Sequence, residues 1–75
     1  MREDFLDNRG LEPPQPMVRT LEKLDGMKDG DTLTIHNDRV PVYLLPQLDD
    51  LGATYEVEEQ ADGSAKVLIH KPAAG

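Results

Sequence analysis

The chain predicts an α+β fold: a two-layer α/β sandwich with its elements in the order β-α-β-α-β-β. Three observations carry this. Apolar and polar residues alternate through Asp31–His36 and Thr54–Glu58, and Val67 and Ile69 fit the same period in Ala65–His70 with Leu68 as an apolar exception, the pattern of half-buried strands. Two segments, around Met17–Leu24 and Leu44–Leu51, repeat at helical spacing instead. The 75 residues suffice for one domain, 1-75, with a core over about 4–71 and a frayed tail over 72–75. Strand–helix–strand crossovers are almost always right-handed, so both helices pack on one face of the sheet. The other face is left to solvent or a partner.

The elements follow in order. Phe5-Leu6-Asp7 reads as a first strand, ended by the turn formers Asn8 and Gly10. In Leu11-Glu12-Pro13-Pro14-Gln15-Pro16 the residues before proline are pushed out of the helical region. Proline is tolerated in a first helical turn, so Pro14 or Pro16 opens a helix. Its apolar stripe is Met17, Leu21 and Leu24, widened by Val18, and Gly26 or the Lys28-Asp29-Gly30 turn ends it. The next strand, Asp31–His36, turns Leu33 and Ile35 inward. From Pro41, Leu44, Leu48 and Leu51 outline a second helix closed by Gly52. Pro46 within it either kinks the helix or marks its true start. Tyr55 and Val57 point inward from the third strand, and Val67 and Ile69 from the fourth, with a hairpin turn at Asp62-Gly63-Ser64.

Composition narrows the function. There are 15 acidic residues against 8 basic ones, and the basic residues are scattered. A phosphate backbone is repelled by such a surface, which argues against a nucleic-acid partner. No apolar run approaches the roughly 20 residues of a membrane span. Met-Arg-Glu-Asp at the start lacks the apolar stretch of a secretory signal, so the expected location is cytoplasmic. With no cysteine, neither a disulfide nor a thiolate zinc site can form. The paired carboxylates Asp49-Asp50 and Glu58-Glu59 are sequence neighbours, which do not converge on one helix or strand face, and read as solvated surface.

Leu6-Asp7-Asn8-Arg9-Gly10-Leu11-Glu12-Pro13-Pro14-Gln15-Pro16 resembles the TusA/SirA sulfur-carrier signature L-D-x-R-G-L-x-C-P-x-P. Gly30-Asp31-Thr32-Leu33 and Asp38 through Pro46 resemble that family's later segments, so the similarity spans nearly the whole chain. The resemblance implies a mixed four-stranded sheet in the order 1-2-4-3, with strand 4 antiparallel. It also exposes a departure. The family's persulfide-carrying cysteine is matched here by Pro13, and no other residue supplies a thiol nucleophile. Pro13, Pro14 and Pro16 together remove three backbone donors from the helix entry. The chain is therefore most similar to a cysteine-free branch of the superfamily, unable to carry persulfide.

A ligand is sought beyond the carboxyl ends of parallel strands. There Arg9 and Gly10 meet His36, Asn37, Asp38 and Arg39, a rim suited to a carboxylate or phosphate. The competing reading is structural: Arg9 pairs with Asp7 or Asp38 and fixes the loops. His36 and His70 do not share a metal, because the implied sheet order sets His70 beside Thr32, on the order of 13 Å from His36 at about 3.3 Å per residue. The open sheet face carries Thr32, Thr34, His36, Glu56, Glu58, Lys66, Leu68 and His70, with Phe5 beside them. The expectation is a non-catalytic interaction or ligand-binding module with a protein partner, without cofactor or metal, as a monomer or weak homodimer. The alternatives are an accessory component of a redox, sulfur or nitrogen-oxide enzyme system and, less favoured by charge, an RNA-binding domain.

Overall fold

A computed structural model describes residues 2–72. The elements are β1 (Glu3–Asp7), α1 (Gln15–Asp25), β2 (Thr32–Asn37), α2 (Leu45–Asp50), β3 (Thr54–Glu59) and β4 (Ala65–His70). The sheet order is β1-β2-β4-β3. β1 runs parallel to β2, while β4 runs antiparallel to both β2 and β3. The expected sheet order and strand directions are therefore found. Most of the tail expected over 72–75 lies outside the described residues.

Alternation decides which face of each strand is buried. Leu33, Ile35, Val67 and Ile69 are fully buried on the two central strands and pack with Leu24, Leu44 and Leu48 from the helical layer. Three sequence expectations shift at the margins. Val18 is exposed, and the polar Thr20 completes the buried stripe of α1 in its place. Thr20 is tolerated there because its hydroxyl donates to the Pro16 carbonyl at 2.8 Å. Val57 is partly exposed on β3, an edge strand that the short α2 does not cover along its length. Leu51 is also exposed, one residue past the end of α2.

Proline and glycine set the helix boundaries. Pro16 and Pro46 each sit in the first turn of their helices. Pro46 thus marks the start of α2, and residues 41–44 form a preceding turn closed by Leu44 N–H to the Pro41 carbonyl at 2.9 Å. α2 ends in a Schellman motif. Gly52 at φ +76° donates to Asp49, and Ala53 donates to Leu48, each at 3.0 Å. The carbonyl end of α1 is closed from far along the chain: Lys71 Nζ donates to the Leu24 and Met27 carbonyls, both at 2.6 Å.

Candidate functional site

The parallel strands β1 and β2 end side by side, with Asp7 opposite His36. The ladder runs one step further, Asn8 N–H donating to the His36 carbonyl at 2.8 Å. This buries Asn8, which is 1% exposed. Its Nδ2 donates to Thr20 Oγ1 at 3.2 Å and to Asn37 Oδ1 at 3.1 Å. Thr20 gives its own proton to Pro16, so it is free to accept. The result is a buried polar knot that ties the middle of α1 to the ends of β1 and β2. Asn8 Oδ1 is buried with no protein partner among the described residues.

The six rim residues gather at this edge, where Arg9 is paired with Asp7 and Asp38 is bonded to Gly10. Arg9 grips Asp7 with two bonds, Nε to Oδ1 at 2.9 Å and Nη2 to Oδ2 at 2.8 Å. Its backbone N–H adds a third to Oδ1 at 3.1 Å. Gly10, at φ +81°, turns its N–H to Asp38 Oδ2 at 2.9 Å, which links the two loops. Asp38 and Asp62 add further negative charge near Arg9. An incoming anion would have to displace Asp7 in a field of carboxylates. Arg39 is exposed and makes no ion pair or side-chain hydrogen bond among the described residues.

His36 has a different neighbour from the one the sequence suggests. Its Nε2 lies 2.8 Å from Ser64 Oγ, and that hydroxyl lies 2.6 Å from Asp62 Oδ1. A hydroxyl has one proton, and the short contact to a carboxylate takes it. His36 therefore donates to Ser64. This is the reverse of nucleophile activation, in which the imidazole accepts the serine proton. The sequence signal for the turn was present, since Asp62 also accepts from Ser64 N–H at 2.9 Å. Its pairing with His36 was not visible. His70 sits opposite Thr32 in the antiparallel register, as the strand order requires, with Nδ1 3.2 Å from Thr32 Oγ1.

The Arg9 guanidinium, through its hydrogen bonds first, holds the Asp7 carboxyl well below the usual carboxylate range. Asp62 is lowered by bonds from Ser64, and Asp31 by backbone bonds from Arg2 and Lys28. A carboxyl depressed in the folded state contributes stability above its unfolded pKa, near about 3.9, and loses it as pH falls toward the folded value. Stability from these groups is expected to be level above about pH 5 and to decline in acid. In Arg9→Ala, which keeps the backbone N–H bond, the Asp7 carboxyl should rise toward the ordinary aspartate range, read by carboxyl NMR. An Asp7 titration unchanged in that variant would refute the pairing.

Where the motif resemblance expects a cysteine, Pro13 and Pro14 form an exposed turn joined by a cis peptide bond. Pro14 caps α1 without a side-chain bond, and Gln15 spends its N–H on the Glu12 carbonyl at 2.9 Å. The corner presents apolar rings and few donors. The turn that precedes α2 carries Val42 at 59% and Tyr43 at 82% exposure. Neither stands out in the sequence, because both fall outside the helical and strand periods.

Residues 5–71 match the model of a family described as Uncharacterized conserved protein (DUF2249). The chain belongs to the DUF2249 family. A SirA-like protein from Desulfitobacterium hafniense has the same fold, with a TM-score of 0.81 and 22% identity over 92% of this chain and 97% of that one. The DUF2249 chain thus shares the SirA-like fold that its motif suggested, and its sequence contains no cysteine. No curated protein matches it. Among the described residues no helix is long and apolar enough to cross a membrane, and no three acidic or histidine side chains cluster as metal ligands.

Proposed function

We propose that this DUF2249 chain is a non-catalytic interaction module on the sulfur-carrier fold, acting in the cytoplasm through a protein partner. One observation carries the reading. Where the motif resemblance places a reactive thiol, the chain has a proline corner, and the turn leading into α2 exposes Tyr43 to solvent. Amphipathic aromatics of this kind anchor protein interfaces. The paired charges around Arg9 favour this over an anionic ligand. The natural setting for such a module is as an accessory of a redox, sulfur or nitrogen-oxide enzyme system. RNA is disfavoured by the net charge of −7.

The test is capture from lysate by the wild-type chain and by Tyr43→Ala, with mass spectrometry of what is retained. The expected result is a partner that the variant loses by tenfold or more in affinity, since exposed aromatics at interface centres contribute about 2 kcal/mol or more. The melting temperature should stay unchanged, because Tyr43 packs on little. Equal capture by both would refute the assignment to the Tyr43 turn. Acquisition of one sulfur atom in mass after incubation with a cysteine desulfurase and cysteine would refute the non-carrier role.

A further inference from the structure

Away from the Tyr43 turn, a groove of about 550 Å³ opens between the carboxyl-terminal halves of α1 and α2. Leu21, Leu24, Leu51 and Ala53 supply its apolar lining, and Leu51 is 55% exposed. Glu22 and Asp25 stand on the α1 wall, and Asp50 stands on the α2 wall. None of these three carboxylates is in an ion pair among the described residues. Lys71 is the only basic residue lining the groove, and its Nζ is already spent on the Leu24 and Met27 carbonyls. The rim therefore presents unpaired negative charge on both walls.

The charge at the end of α2 runs against stability. Asp49 and Asp50 close a helix whose last turn has no basic residue. Carboxylates there face the negative end of the helix dipole. Burying the lining needs an apolar surface, and satisfying both walls needs cations along its two sides. A lone small cation meets one wall only. A helix with an apolar stripe flanked by lysine or arginine meets the lining and both rims at once.

We propose that this groove docks a cationic amphipathic helix of a protein partner. Glu22, Asp25 and Asp50 take its basic residues, and Leu51 takes its apolar stripe. The proposal is independent of the Tyr43 turn, so either can fail without the other.

The test titrates the full chain with a synthetic helical peptide bearing a leucine stripe flanked by lysines, followed by amide NMR. The peptide should shift Leu21, Leu51 and Ala53. The triple variant Glu22→Gln, Asp25→Asn, Asp50→Asn should weaken binding about tenfold, as three rim pairs would. The same charge change on β3, Glu56→Gln, Glu58→Gln, Glu59→Gln, should alter it by less than about twofold. Leu51→Ala should also weaken it, and Asp50→Asn alone should raise the melting temperature as it weakens the peptide. Equal loss in the two triple variants would mean that binding follows net charge alone, and would overturn the proposal. So would equal affinity for a glutamate-flanked peptide, shifts confined to another surface, or a fall in melting temperature for Asp50→Asn. A dimer in sedimentation that Leu51→Lys dissolves would assign the groove to a second copy instead, and overturn it as well.

Discussion

Ile35→Ala is expected to lower the unfolding free energy by about 3–4 kcal/mol. Ile35 is fully buried on β2, between Leu6 of β1 and Val67 of β4. The truncation removes apolar surface from the layer junction and leaves a cavity that close-packed neighbours on three strands cannot collapse into. A chain of this size has a total stability of about 4–11 kcal/mol, so the change takes a large share of it. Urea unfolding measures this directly. Ile35→Val, which keeps most of the volume, should cost about 1 kcal/mol. A loss of less than about 1 kcal/mol for the alanine variant would contradict the central, fully packed position of β2.

Asn8→Ala is expected to cost about 2–3 kcal/mol although it removes no apolar group. The substitution strands Asn37 Oδ1 and Thr20 Oγ1, both of which accept from Asn8 Nδ2 in the interior. A buried acceptor left unpaired costs its full desolvation, and a small void adds to it. Asn8→Asp has a distinctive pH signature. Burial raises the new carboxyl's pKa in the folded state, so the destabilisation is full above that raised value. The charge penalty is relieved as pH falls and is gone below the ordinary aspartate value of about 3.9, leaving the cost of one acceptor that the single acid proton cannot serve. Unfolding curves at neutral and acid pH therefore converge for Asn8→Asp but not for Asn8→Ala. Equal pH profiles for the two variants would show that position 8 is not buried.

Local signals carried much of this architecture. β4 spans the same residues in the sequence and in the structure, because Val67 and Ile69 fall two apart on the strand period and Asp62-Gly63-Ser64 marks the turn before it. Gly52 ends α2's cap where a left-handed residue was needed, and Pro46 takes the only helical position that suits it. The site was legible in outline only. The motif named the edge where Arg9, Gly10 and His36–Arg39 assemble, but not that Arg9 is bound to Asp7 or that His36 turns to Ser64. Thr20 and Asn8 were hidden because a polar residue in a sequence reads as surface until its partners are known.

The sequence by itself determined the element order, the inward face of each strand, the helix entries at proline and the absence of any thiol. Each depends on a residue's own geometry or on the period of its neighbours. Only the tertiary structure decided which polar groups are buried, which charges are spent and which apolar residues stay uncovered. Those outcomes depend on contacts between distant residues. Lys71 reaches the end of α1 across 47 positions, Asn8 meets Asn37 across 29, and α2 stops short of covering Leu51. No local pattern encodes such distances. They follow from how the helical layer settles on the twisted sheet.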